Sequence, residues 1–162
     1  GRNARIFSDN GFQVTGIEIS ETAIEIARKY FEETVNIHHG SVSSMPFDNE
    51  LYDGIFCYAL IHLLNTEERK KLISDCYNQL KTNGYMVFVA ISKDDFRYGQ
   101  GHEISKDTFE TWPGLTLFFY DSESIKASFG DYGLISAEIM NEPKLQSENK
   151  PVQRFWYIIC KK

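Results

Sequence analysis

The segment Val14-Thr15-Gly16-Ile17-Glu18-Ile19-Ser20 decides the fold. It closes an apolar, strand-like run over residues 12–19. Ser20 then stands where a hydroxyl N-caps a helix, whose Ala23, Ala27, Tyr30 and Phe31 share one face at spacings of three and four. Further strand-like runs follow at residues 35–38, 52–60, 85–91, 134–140 and 155–160, with helical patterns between the first four. Strand alternating with helix implies βαβ units and a mostly parallel sheet, so the fold class is α/β.

Outward from that segment the organisation continues. Thr66 is the expected N-cap of a second helix, with Glu67 and Glu68 in its first turn, where the helix dipole favours negative charge. Leu72, Ile73, Cys76, Tyr77 and Leu80 make its buried stripe, and Asn83-Gly84 supplies a left-handed stop. Residues 85–91 are apolar at every position, as in a strand covered on both faces. Over residues 92–116 the pattern dissolves into Asp94, Asp95, Gly99, Gly101 and Pro113 with scattered aromatics, which reads as a long loop serving as a lid or binding segment. Phe109, Trp112, Phe118, Phe119 and Tyr120 read as core or as the apolar wall of a pocket, and aromatics in such numbers are more often core. Asp121 or Ser122 caps a short helix through Phe129, and Gly130 and Gly133 bracket a turn into the last two strands. Those strands, separated by the polar stretch 141–153, are expected to be an antiparallel pair. No repeat or low-complexity tract appears, so residues 1–162 read as one domain.

Composition narrows the function. Among 162 residues, 23 acidic and 17 basic side chains give a net charge of −6, which leaves no basic field for a phosphate backbone. A small-molecule partner is expected, and neither nucleic acid nor membrane. No apolar run approaches the roughly 18 residues of a membrane span. Cys57, Cys76 and Cys160 are odd in number, far apart and in apolar surroundings, so they read as buried hydrophobes of a cytoplasmic protein. The chain opens Gly1-Arg2-Asn3-Ala4, without an initiator Met or a signal-peptide pattern, and the expectation is that upstream residues are missing.

The chemistry starts at Glu18. A nucleotide-binding βαβ unit uses a glycine where the backbone approaches the ligand, a helix N-terminus, and an acid at the end of the second strand for ribose hydroxyls. Glu18 follows Gly1 by 17 residues, near the spacing of about 20 that the dinucleotide fingerprint allows. Capping of the helix after Ser20 is the other role open to it.

Together these segments resemble the class I S-adenosylmethionine-dependent methyltransferases. Gly1-Arg2-Asn3-Ala4 resembles the end of that family's glycine-rich loop, and residues 14–20 resemble its second strand. Gly40-Ser41-Val42 with Met45-Pro46-Phe47 is similar to the segment after its third strand. Tyr52-Asp53-Gly54-Ile55-Phe56-Cys57-Tyr58 with Ile61-His62-Leu63 resembles its fourth strand and the turn beyond, and Leu80-Lys81-Thr82-Asn83-Gly84-Tyr85 the linker into its fifth. The resemblance implies a three-layer α/β/α Rossmann-like fold with an antiparallel last strand, S-adenosylmethionine as cofactor, and in-line methyl transfer to a small-molecule nucleophile. It implies that Gly1 ends the cofactor loop, Glu18 holds the ribose hydroxyls, Ile19 lies against adenine, and Tyr58 and Ala59 line the methionine end. Where the family usually has an aspartate for the adenine amino group, this chain has Ser41, leaving its hydroxyl or the Val42 backbone to serve. The family's first strand, which would precede Gly1 in the middle of the sheet, is absent from the chain. The 162-residue piece is therefore expected to be inactive alone.

Methyl transfer to an oxygen or a protonated amine calls for a base, and the candidates are His62, after the fourth strand, and His102, in the segment 92–116. Arg97 and Tyr98, between Asp94 and His102, offer a cation and an aromatic face to a substrate. His38 and His39 point to opposite faces of a strand and have no companion at ligand spacing, so no metal is expected. A nicotinamide-dependent oxidoreductase would share Gly1 and Glu18, but it predicts neither Met45-Pro46-Phe47 nor the antiparallel pair. A non-catalytic methyltransferase-like binding module is the remaining alternative.

Overall fold

A computed structural model describes residues 1–31, 34–46, 48–143 and 151–162. These form two compact units, Gly1–Asp48 and Asn49–Lys162.

In the first unit, helix α1 (Arg2–Asp9) leads to strand β1 (Val14–Glu18), helix α2 (Glu21–Phe31), strand β2 (Val35–His39) and a short 3-10 turn at Val42–Ser44. β1 and β2 run parallel, in register from Val14↔Val35 to Glu18↔His39. Ser20 caps α2 as expected, its Oγ accepting the Ala23 N–H at 3.3 Å. Glu21 at the helix start and Arg28 and Lys29 at its end suit the dipole. The buried face differs from the expected one. Ile24 and Phe31, one heptad apart with half-buried Ala27 between them, turn inward, whereas Tyr30 is 58% exposed.

The second unit contains β3 (Tyr52–Tyr58), α3 (Thr66–Asn78), β4 (Leu80–Ile91), β5 (His102–Ser105), β6 (Thr108–Trp112), β7 (Leu115–Phe118), α4 (Ser122–Phe129), β8 (Leu134–Glu142) and β9 (Gln153–Lys161). The main sheet has the order β3-β4-β9-β8. β3 and β4 are parallel, and the last strand, β9, runs antiparallel to both β4 and β8, as expected. Met86, Phe88, Val89, Ala90 and Ile91 on β4 are all buried, as the unbroken apolar run requires. Because β3, β4 and β8 share a direction, Tyr58, Ile91 and Glu142 end at one edge, where β9 also begins. Open α/β sheets bind ligands at such carboxyl edges.

Three local expectations are corrected. The N-cap of α3 is Asn65 rather than Thr66: its Oδ1 accepts the Glu68 N–H while a Glu68 carboxylate oxygen accepts the Asn65 N–H, both at 3.0 Å, so both free donors are satisfied. The helix ends at Gln79, and Leu80 already belongs to β4. Asn83, left-handed at φ +66, instead turns the chain inside β4. A Cβ on the following Gly84 would stand 2.9 Å from the Lys81 carbonyl oxygen, so that turn needs glycine.

The third correction concerns residues 92–116, which form no structureless lid. They carry the antiparallel sheet β5-β6-β7, whose Phe109 and Leu117 pack with Val89, Ile91, Phe119 and Phe155. Strands of four and five residues, interrupted at Asp107 and Gly114, are too short to show a period of two. The Lys93 ammonium ties the sheet to its surroundings by bridging Asp107 at 2.8 Å and Asp121. Burial opposes its charge, but the two carboxylates outweigh that and raise its pKa. The Lys93 bond in turn holds Asp121 well below the usual carboxylate range. Asp121 also caps α4 as expected. Phe119 and Tyr120 are fully buried, but Trp112 is 73% exposed and is not core.

Candidate active site

Within the first unit, Glu18, Ile19, Ser41 and Val42 lie at or just beyond the carboxyl ends of β1 and β2. Glu18 is half-buried; one carboxylate oxygen accepts the Ser20 N–H at 2.9 Å, and the other has no partner among the described residues. The local role open to Glu18 is therefore met by one oxygen, which leaves the other available to a ligand. Ile19 beside it is 68% exposed, an apolar face with its carbonyl held by His39 Nε2 at 3.2 Å. Ser41 caps the 3-10 turn through Val42, its Oγ accepting the Ser43 N–H at 3.2 Å, which leaves the hydroxyl proton and a second lone pair for a ligand. Gly1 is the N-cap of α1, and a Cβ there would come within 2.6 Å of the Phe31 ring. A side chain there would have to displace the Phe31 ring, and because Phe31 ends α2, the structure sets Gly1 apart from the group at the start of that helix. An acid for ribose hydroxyls, an exposed apolar side chain for a base and a hydroxyl for its polar edge form a donor set that fits an adenosine group.

Within the second unit, Phe155 at the start of β9 is the hub. Its ring centroid lies 6.5 Å from that of Tyr58 and 6.2 Å from that of His62, and the Arg97 guanidinium sits 5.8 Å from it. The structure thus brings together Tyr58, His62 and Arg97, residues that are 39 positions apart in sequence at the extremes. Ala59 follows at the end of β3 with φ +52, a left-handed conformation that costs an alanine on the order of 1 kcal/mol. Its N–H donates to the Val89 carbonyl at 2.9 Å, which holds the turn in place.

His62 is buried, and its Nδ1 accepts the Ile91 N–H at 3.2 Å. Burial pushes its pKa down to about 4; the Arg97 charge lowers it further, and Asp95 opposes both. The ring is neutral at pH 7, with one nitrogen already engaged. Arg97 is held by Asp95, whose carboxylate takes Nε at 2.7 Å and Nη2 at 3.1 Å. The same carboxylate accepts the backbone N–H of Arg97 and of Arg154, at 3.0 and 2.7 Å.

Two candidates fall outside this group. Tyr98 donates its hydroxyl to Asp107 at 2.9 Å, a bond that raises the phenol pKa, and its ring packs edge-on against Phe109 and Phe119. It supports the β5-β6-β7 sheet. His102 is exposed at the start of β5, opposite Glu110. His38 and His39 do face different partners, Asp48 at 3.5 Å and the Ile19 carbonyl. Among the described residues no group of His, Cys, Asp and Glu is placed to hold a metal. All three cysteines are buried thiols, and burial pushes Cys57 up to about 12. Phe47 of the Met45-Pro46-Phe47 segment lies outside the described residues.

Three residues escaped the sequence reading: Asp95, Phe155 and Glu142, which accepts the Tyr58 hydroxyl. A local signal existed only for Asp95, two residues before Arg97 in a turn where an aspartate accepts the backbone N–H two positions on.

Residues 1–88 match the methyltransferase-domain family, and the chain belongs to it. A curated relative, an O-methyltransferase from Pyrenophora dematioidea, is 26% identical over 97 residues, covering 57% of this chain and 36% of its own length. The chain spans about half or less of the length of the curated relatives it matches. Among solved structures, a SAM-dependent methyltransferase from Methanosarcina mazei is 17% identical with a TM-score of 0.76, over 98% of this chain and 85% of that one. The 1,6-didemethyltoxoflavin N1-methyltransferase of Burkholderia thailandensis, solved with its namesake compound and S-adenosylhomocysteine, is 15% identical, also with a TM-score of 0.76, over 100% and 66%. These likenesses establish the Rossmann-like methyltransferase fold. No helix among the described residues is long and apolar enough to cross a membrane.

Proposed function

We propose that this chain carries S-adenosylmethionine-dependent methyl transfer to a small-molecule nucleophile. Glu18 carries the reading: a half-buried acid at the carboxyl end of β1 has one oxygen committed to its own turn and the other open beside an exposed Ile19. Family membership favours methyl transfer over the nicotinamide chemistry that Glu18 would equally serve. Glu18 accepts the ribose hydroxyls, Ile19 covers one face of the adenine, and Ser41 or the Val42 backbone meets its polar edge. Gly1 keeps the start of α1 free of a side chain, and Tyr58 and Ala59 line the methionine end. The bound sulfonium supplies an already activated methyl group for in-line displacement, so positioning supplies much of the rate.

His62 is a weak base at neutral pH, and its bond to the Ile91 N–H gives it a positioning role at the ends of β3 and β4. For an acceptor that must lose a proton, Glu142 is the candidate base, through the Tyr58 hydroxyl whose proton it accepts. His102 and Tyr98 take no part in this reading. The family match runs across both units, which supports a single methyltransferase-like domain over residues 1–162. The three buried thiols support a reducing, cytoplasmic setting, and the net charge of −6 supports a small-molecule acceptor over nucleic acid.

The test is calorimetric titration of S-adenosylhomocysteine, with NADH in parallel. Saturable binding of S-adenosylhomocysteine that weakens about tenfold in Glu18→Ala, in a protein still folded by circular dichroism, is the expected result, since each hydrogen bond to a carboxylate contributes about 1.5 kcal/mol or more. Binding of NADH alone would favour an oxidoreductase, and binding of neither a non-catalytic module.

A further inference from the structure

We infer that Arg97 is a fixed receptor for a carboxylate on the methyl acceptor, an assignment that rests on the methyltransferase reading above. A guanidinium has two edges that match a carboxylate: the Nε–Nη2 side and the Nη1–Nη2 end. Asp95 occupies the first, at 2.7 and 3.1 Å. The second makes no hydrogen bond among the described residues, and 27% of the Arg97 side chain is exposed. The anchor is unusually firm. The Asp95 side chain is 0% exposed and fixed by the backbone N–H groups of Arg97 and Arg154, so the guanidinium is held from behind by a group that cannot turn away. A flexible arginine loses rotamer freedom on binding an anion; this one has lost it on folding, which leaves more of the contact energy for affinity.

The setting favours an organic anion. The guanidinium lies 5.8 Å over Phe155 and 5.5 Å over Phe96, the latter 49% exposed, so an acid with an apolar body has aromatic surface beside the charge. Among the described residues, the charges around it are those of Asp95, already paired, of exposed Asp94, of Arg154, whose guanidinium donates to the Asp94 carbonyl at 3.2 Å, and of Glu142 beyond Tyr58. His62 is neutral there. Arg97 therefore presents the free cationic edge at the carboxyl ends of β3 and β4, where the acceptor of this fold class arrives.

Sodium benzoate is the probe, titrated into the full chain at constant ionic strength and followed by NMR, with benzamide and inorganic phosphate as controls. Arg97→Lys keeps the charge opposite Asp95 but removes the two-pronged edge, and circular dichroism confirms that it folds. Saturable benzoate binding that weakens fivefold or more in Arg97→Lys, with benzamide not binding and S-adenosylhomocysteine affinity unchanged, is the expected outcome. The inference is overturned by absent benzoate binding, by equal affinity in Arg97→Lys, by benzamide binding as well as benzoate, or by phosphate binding more tightly. Competition between benzoate and S-adenosylhomocysteine would also overturn it, since the receptor would then serve the cofactor's own carboxylate. If benzoate behaves as expected while S-adenosylhomocysteine does not bind, the receptor stands and the methyltransferase reading fails.

Discussion

The ends of β1 and β2 and the surroundings of Phe155 both hold candidate residues, but they hold them differently. In the first unit the contacts that fix the carboxylate and the hydroxyl are local, Glu18 to Ser20 and Ser41 to Ser43, each two residues apart, and the His39 hydrogen bond to the Ile19 carbonyl spans 20. Around Phe155 they are distant: His62 to Ile91 over 29 residues, Asp95 to Arg154 over 59, Tyr58 to Glu142 over 84. Local contacts survive in any conformation that keeps the turn, whereas distant ones exist only once the sheet β3-β4-β9-β8 has formed. The first region presents open polar groups on exposed turns, and the second builds a site whose geometry is inseparable from global stability.

The sharpest way to break that contrast is Asp95→Ala. It strands a half-buried guanidinium and the Arg154 N–H, and removal of one partner of a buried ion pair costs about 3 kcal/mol or more. Urea unfolding should show that loss. A loss below about 1 kcal/mol, the value of an ordinary hydrogen bond, would mean that the Phe155 surroundings are no more interlocked than the turn at Glu18.

His62 gives a comparable effect through pH. Its folded pKa of about 4 lies below the ordinary histidine value of 6.5, so between those values the unfolded chain binds a proton that the folded chain does not. Stability from this group is therefore complete above pH 6.5, falls as the pH drops toward 4, and is lost below it, by roughly 3 kcal/mol in all. Urea midpoints measured across that window should fall steeply in the native chain and more gently in His62→Asn, whose amide oxygen is able to accept the Ile91 N–H. Parallel slopes for the two proteins would show that His62 is hydrated rather than buried.

The same contrast accounts for what the sequence disclosed. The α/β class, the antiparallel last strand, the Ser20 and Asp121 caps and the Glu18 contact to its own turn all rest on periodicity or on contacts within three residues, and these are written consecutively. Asn65 took the cap from Thr66 because a reciprocal partner, Glu68, outweighs residue type alone. Asn83 marked a real left-handed turn but in the wrong element, because nothing local says that Tyr52 pairs with Leu80. The Phe155 cluster was half visible. Tyr58, His62 and Arg97 were found one by one, but their common neighbour depends on β9 folding back beside β4, a pairing that places Ile91 opposite Phe155. The sheet over residues 102–118 was hidden by strands too short to show alternation and by its tie through Lys93 to Asp107 and Asp121.

A smaller effect tests the local region on its own terms. Family members carry an aspartate where this chain has Ser41, and the Ser41 oxygen already spends one lone pair on the Ser43 N–H. Ser41→Asp keeps that cap, because a carboxylate accepts the same N–H, and offers a charged second oxygen to the adenine amino group. A hydrogen bond changed from neutral to charge-assisted strengthens by about 1 kcal/mol, so S-adenosylhomocysteine should bind roughly fivefold tighter at nearly unchanged stability. Since the cap is local, the substitution has no distant network to disturb. A gain in affinity would show that Ser41 faces the base, and an unchanged affinity would move the adenine contact to the Val42 backbone, which no side-chain exchange at residue 41 alters.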